Sequence, residues 1–282
     1  MSIINKIIEF IKALFINKAS NKAETVVVEK KVNDIVINEV ISDKEEKIMN
    51  EFVVNSQVVP SVKKQYNGLV VVLDPGHAVS TSGKKSPYSL KKVSSPELPF
   101  EEWEFNREIT YILKPMLKEY GIEVFVTTDA MRDENIDLGL SKRAARANEY
   151  VKKSGKKGIY ISIHSDADGM GDNWTSANGW SCITTKGQNN SDKLADCLYD
   201  AAEEVLKPMG KNIRTDKKDG DRDWESDFTV LVKANMPAVL TENFFFTNIN
   251  DVKFITSDEG KNAIAKVHLK GILKFADTFY KI

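Results

Sequence analysis

Two short apolar runs, Leu69 to Leu73 (LVVVL) and Gly158 to Ile163 (GIYISI), constrain the fold most. A strand that is apolar at successive positions, rather than at every second one, must be covered on both faces. The segments between and after these runs supply the cover. Phe105, Ile109, Ile112, Leu113, Met116, Leu117 and Tyr120 trace a helical stripe, with a kink expected at Pro115 and an end at Gly121. Ile122 to Thr127 reads as a strand and Leu140 to Lys153 as a helix. Leu194, Leu198, Ala201, Ala202, Val205 and Leu206 mark a further helix. Phe228 to Val232 and Ala238 to Thr241 read as strands, and Ile264, Val267, Ile272, Phe275 and Phe279 as a last helix. Strand and helix in alternation predict an α/β fold over residues 66–282, a single domain with a mostly parallel twisted sheet flanked by helices.

The residues before this domain have another character. In residues 1–18, Ile4, Ile7, Ile8, Ile11, Leu14 and Phe15 recur at helical spacing, with Lys6, Glu9 and Lys12 between them. The charges break every apolar run, so this amphipathic helix is neither a membrane span nor the core of a cleavable signal peptide. It could lie on a membrane surface or pack on protein. Residues 19–65 set short β-favouring pieces among Lys, Glu, Asn and Ser and read as a tether with little fixed structure. Lysine and arginine number 40 against 41 acids, which gives no whole-chain argument for nucleic acid. Cys182 and Cys197 lack a CxxC spacing, and Cys197 falls on the apolar side of a helix, where a buried thiol is expected.

Three polar groups follow buried runs: His77 after LVVVLDPG, His164 after GIYISI and Glu242 after AVLT. In an open parallel sheet the carboxyl ends of the strands share one edge, where ligands bind. Two imidazoles and a carboxylate on that edge suit a catalytic zinc with three protein ligands and an open position. The chain has three histidines, and the third, His268, lies on the apolar face of the last helix, as a core residue would.

VVLDPGHA, EWEFN, RAARAN, SIHSDA and PAVLTENFFFTN, in this order, resemble the zinc-dependent N-acetylmuramoyl-L-alanine amidases of the amidase-3 family. The resemblance covers the chain from about Leu69 onward. It implies one zinc ion per chain, held by His77, His164 and a glutamate at the head of the intervening helix. Glu101, Glu102 and Glu104 compete for that place, and the family's spacing to the position of Asn106 selects Glu102. It also implies that Glu242 is the catalytic acid–base group. A glutamate within the apolar segment PAVLTENFFF otherwise needs a buried partner, such as Arg143 or a lysine. Asp74, Pro75 and Gly76 are expected to shape the turn presenting His77, with Gly76 taking unusual backbone angles. Arg143 and Asn148 are expected to brace the fold.

The chain departs from the common family pattern at Ala78 and Val79, where glycines are usual, and at Asp166, where asparagine is usual. Ser80 to Pro99 and Lys217 to Asp227 read as polar loops lining a groove. Trp174, Trp180 and Trp224 could stack on sugar or pack locally. The implied reaction is hydrolysis of the amide between N-acetylmuramic acid and the L-alanine of the stem peptide, with peptidoglycan as partner. A zinc exopeptidase acting on peptides could use the same residues. An inactive wall-binding module is disfavoured because all four chemical positions are present. Absence of a signal peptide suits a phage endolysin, cytoplasmic until released onto the wall, with residues 1–18 as a peripheral membrane contact.

Overall fold

The expected buried runs form the centre of a six-stranded sheet in the computed structural model, which describes residues 63–87, 100–128 and 138–281 apart from 170, 172, 217 and 219. The helix expected over 1–18, the tether up to 62 and the loop from 88 to 99 lie outside these residues. Strand β1 (Leu69–Pro75) runs parallel to β2 (Glu123–Val126) on one side and β3 (Lys157–Asp166) on the other. Strand β6 (Ala238–Phe245) adds in parallel to β3. Two strands that the sequence did not announce, β4 (Trp180–Thr184) and β5 (Trp224–Glu225), complete the order β2-β1-β3-β6-β4-β5. Because β4 pairs antiparallel to β6 and β5 parallel to β4, the sheet is mostly parallel, as expected.

Alternate residues of the apolar runs feed two cores. Leu69, Val71, Leu73, Ile159, Ile161 and Ile163 face helices α1 (Glu102–Lys118), α3 (Asn190–Leu206) and α6 (Asp258–Phe275) through Ile109, Leu113, Leu198, Ile264 and their neighbours. Val70, Val72, Tyr160 and Leu240 face α2 (Leu140–Ser154) and the single turn α4 (Thr229–Val232) through Ala147, Val230 and Leu231. Ile161 is fully buried in this arrangement, and truncating such a residue to alanine costs about 2–5 kcal/mol. Helix α5 (Ile249–Ile255) follows β6 and is capped by Asn248, whose side chain accepts from the Asn250 and Asp251 amides.

Three expectations change. Phe228 to Val232 is a helical turn rather than a strand, because the Leu231 and Val232 amides donate to the Phe228 carbonyl at 2.9 and 3.0 Å. Strands β3 and β6 continue past their apolar runs, so His164 and Glu242 stand within strands rather than after them. The last helix ends at Phe275, and Phe279 falls in a π-helical turn (Ala276–Tyr280) where it is exposed.

Candidate metal centre

His77 lies two residues beyond β1 and takes a left-handed conformation, φ 61°. Non-glycine residues enter that region rarely and need their surroundings to hold them there. Two arginines do so by gripping the His77 carbonyl, Arg107 Nη2 at 3.1 Å and Arg143 Nη2 at 3.4 Å. Arg143 Nη1 also donates to Pro75 O at 2.7 Å and Asp74 Oδ1 at 3.0 Å. Asp74 in turn accepts from Thr127 Oγ1 and from Ser162 Oγ at 2.9 Å. The unusual angles expected at Gly76 therefore sit one residue later. Gly76 is required for a different reason: a Cβ there would stand 2.2 Å from His164 Cε1, so only glycine lets that imidazole approach the turn.

Glu102 opens α1, where its amide donates to Lys84 O at 2.9 Å. Its Oε1 is 3.2 Å from His77 Nε2 and 3.1 Å from His164 Nδ1, and it accepts from the Ser165 amide at 3.1 Å. The two imidazoles meet edge to face with centroids 4.8 Å apart. Ligands about 2.0–2.1 Å from a tetrahedral ion stand roughly 3.3 Å from one another. Glu102 Oε1 has that spacing to each imidazole, and one donor atom from each of the three residues lies within 4.8 Å of the others. Glu102 Oε2 is buried without a hydrogen bond, an orphan acceptor of the kind a cation would satisfy. Burial alone would push the Glu102 carboxyl up. The imidazoles of His164 and His77 outweigh it and hold the group well below the usual carboxylate range. Glu101 precedes the helix with its backbone bridged to Lys85, and Glu104 is exposed. Neither joins the cluster formed by His77, Glu102 and His164.

Glu242 pairs in register with His164 across β3 and β6. Burial first, then the carboxylates of Asp166 and Glu102, push its carboxyl well above the usual range, while Lys84 and Arg214 pull the other way. Its Oε2 has no hydrogen-bond partner. The carboxyls of Glu102 and Glu242 are thus shifted in opposite directions by their surroundings. The rival expectation of a Glu242–Arg143 pair is not met, since Arg143 serves Asp74 and the His77 turn. Asn243 Nδ2 donates to His164 O at 2.9 Å while its Oδ1 accepts from Trp180 Nε1 at 3.0 Å, which fixes β6 beside His164.

The remaining expectations divide cleanly. Trp180 is fully buried, so it cannot stack on sugar. Asn148 braces the α2–α4 contact by donating to Lys233 O at 2.8 Å. His268 is a core residue between Thr241 Oγ1 at 2.9 Å and Ile264 O at 2.8 Å, and burial lowers its pKa to about 4. Both cysteines are buried and free. Sequence reasoning missed Lys84, 4.0 Å from Glu102 Oε2, and Arg214, which pairs with Asp166 at 2.8 Å and lies 5.0 and 4.6 Å from the ring centres of Trp224 and Phe245. The departure at Asp166 was the one available signal for Arg214, because a carboxylate in place of an amide calls for a cation.

Similarity to known proteins identifies the family and the fold. The N-acetylmuramoyl-L-alanine amidase family Amidase_3 matches residues 71–274. The endolysin of Bacillus phage SPP1 is 25% identical over 203 residues, covering 72% of this chain and 64% of that protein. The N-acetylmuramoyl-L-alanine amidase AmiC of Neisseria meningitidis serogroup B is 24% identical over 245 residues, covering 74% of this chain and 53% of that protein. The chain thus spans between about half and two thirds of these relatives' lengths. The crystal structure of an N-acetylmuramoyl-L-alanine amidase from Clostridium difficile 630 superposes with a TM-score of 0.60 at 25% identity, covering 76% of this chain and all of that one. A match over most of the chain, on the domain that carries the His–Glu–His cluster, makes this protein a member of the N-acetylmuramoyl-L-alanine amidase family Amidase_3.

Proposed function

We propose that the chain is a zinc-dependent peptidoglycan hydrolase that cleaves the amide between N-acetylmuramic acid and the L-alanine of the stem peptide. One observation carries the reading. Two imidazole nitrogens and a carboxylate oxygen converge at His77, Glu102 and His164, with a second carboxylate, Glu242, in register with His164 on the next strand. His77 through Nε2, His164 through Nδ1 and Glu102 would hold the ion, a donor set that suits hydrolytic zinc. Zinc in such a site supplies Lewis acidity, polarising the scissile carbonyl and making water a nucleophile near neutral pH. Glu242 takes the proton from the attacking water and passes it to the leaving amine of L-alanine, which restores the carboxylate. Its Oε2 is shielded from bulk water, although the residue as a whole is only partly buried. Glu242 must be ionised to take that proton, and Lys84 and Arg214 favour the ionised form against burial and the neighbouring acids. The turn gripped by Arg107 and Arg143 keeps His77 aimed at the same point as Glu102.

Contact of residues 1–18 with a membrane surface belongs to the same proposal and rests on the amphipathic spacing there. Retention in the cytoplasm until release onto the wall belongs to it too and rests on the charges that break each apolar run of that segment. Among the described residues no helix is long and apolar enough to cross a membrane. Digestion of purified sacculi tests the reaction. New amino termini should appear on L-alanine, with no new reducing sugar ends. Release of free amino acids from a peptide panel, with intact muramoyl amides, would identify an exopeptidase instead.

A further inference from the structure

Three acidic side chains outside the candidate metal centre meet where β4 ends. Asp192 stands in the first turn of α3, and Asp221 and Asp223 lead into β5. One carboxylate oxygen from each lies within 4.8 Å of the other two. Asp192 and Asp223 are 5% and 1% exposed. Buried carboxylates at this spacing repel one another and must be paired, protonated or bound to a cation. Among the described residues, neither Asp192 nor Asp223 forms an ion pair, and Arg222, which lies between the acids in sequence, turns to Asp196 and Asp200 at 2.9 Å.

Hydrogen bonding fills only part of the gap, since Gln188 Nε2 donates to Asp221 Oδ2 at 2.5 Å but the two deeper acids are less well served. The Asn189 amide donates to Asp192 Oδ2. Thr184 Oγ1 lies 3.1 Å from Asp192 Oδ1 and 2.5 Å from Asp223 Oδ2, but a hydroxyl has one proton to give. Asp223 Oδ1 is buried with no partner at all. Another buried aspartate shows what a purely structural acid looks like here: Asp251 accepts from the Gly179 and Phe245 amides at 3.0 and 3.1 Å. Asp223 has no amide from another segment, and its Oδ1 is an acceptor left for something else.

We propose that Asp192, Asp221 and Asp223 form a second cation site, of the calcium type. Every donor is a carboxylate or hydroxyl oxygen, the set that suits a hard divalent ion rather than zinc. Calcium bonds of about 2.3–2.6 Å place its oxygens up to roughly 5 Å apart, so oxygens as close as these can share one ion. The ion would tie the segment from Asp221 to Glu225 to the end of β4 and the start of α3. Trp224 in that segment lies beside Arg214, the partner of Asp166, so occupancy would stiffen the segment against which Arg214 packs. The competing occupant is a proton, since burial, then Asp221 and Asp192, push the Asp223 carboxyl up to about 7.

The test is calcium titration of the full chain, stripped of calcium and saturated with zinc, by calorimetry and by terbium luminescence excited through tryptophan. One calcium should bind per chain, with a melting temperature rising about 3–6 °C for each tenfold increase in calcium above the dissociation constant. Asp223→Asn should abolish the site. Asp221→Asn, at a half-buried position, should weaken it at least tenfold in a protein that still melts cooperatively. His77→Ala should leave calcium binding intact, which separates this site from the first whatever reaction the first performs. Absence of calcium binding, or binding unchanged in both aspartate variants, would overturn the proposal. Stability that responds to pH around 7 but not to calcium would assign the site to a proton and overturn it equally.

Discussion

Two polar clusters, one buried and one partly exposed, share the turn at His77, and they are built on opposite principles. Behind the turn, Asp74 is matched: one arginine, Arg143, and the hydroxyls of Thr127 and Ser162 satisfy both its oxygens. In front of the turn, His77, Glu102, His164 and Glu242 form an open set in which Glu102 Oε2 and Glu242 Oε2 are shielded from water and unbonded. A closed network gains stability and rigidity, whereas an open one costs stability unless a ligand completes it. The comparison assigns the roles. Asp74 and Arg143 position the site, and the residues in front of them do its chemistry.

The largest expected effect falls on the open side and spares the fold. Glu242→Gln is nearly isosteric and removes the proposed proton carrier, so turnover on sacculi should fall about 10²–10⁴-fold or more. Bound metal and the melting temperature should stay near wild type. Near-normal turnover with full metal would remove Glu242 from the mechanism, and loss of metal would make it a ligand. The closed side should respond the other way. Arg143→Ala leaves the Asp74 carboxylate buried without its charge partner, which costs about 3–5 kcal/mol in folding stability. Denaturant unfolding measures that loss. The double variant Asp74→Leu with Arg143→Met, apolar on both sides, should recover much of it, and a double variant as unstable as Arg143→Ala would show that the turn contacts, not the charge pair, dominate.

A smaller effect comes from His268, a buried polar group of the closed kind. Its pKa is about 4 in the folded protein against 6.5 for the free side chain. Below 6.5 the unfolded chain takes up a proton that the native core refuses, so stability is full above that pH and is lost as the pH falls toward 4. The loss amounts to about 3 kcal/mol over that window. His268→Gln should flatten the pH dependence of unfolding between 4 and 6.5, and an unchanged slope would place the effect in another group.

How much of this was legible in the sequence depends on distance along the chain. The apolar runs of β1 and β3 announced buried strands, and His77, His164 and Glu242 stood out because each polar group directly follows such a run. Strand β4 was hidden because WSCIT is short, half polar and bounded by glycine. FTVLV misled, since its β-branched residues read as a strand while the chain closes a helical turn whose amides are satisfied locally. The Asp74–Arg143 pair spans 69 positions, so Arg143 could be read as bracing but not as the grip on His77. The acidic cluster escaped for the same reason: Asp221 and Asp223 look like solvated loop charges until the fold sets them against Asp192.

Zinc content of the three neighbouring glutamate variants tests the central claim most directly, because Glu101, Glu102 and Glu104 differ little in sequence setting and sharply in position. Glu102→Gln should lose stoichiometric zinc, and with it all hydrolysis of sacculi, while Glu101→Gln and Glu104→Gln should each retain one zinc per chain and activity within about threefold of wild type, as expected for surface substitutions worth less than about 0.5 kcal/mol. Full zinc in Glu102→Gln, or its loss in Glu104→Gln, would contradict the account.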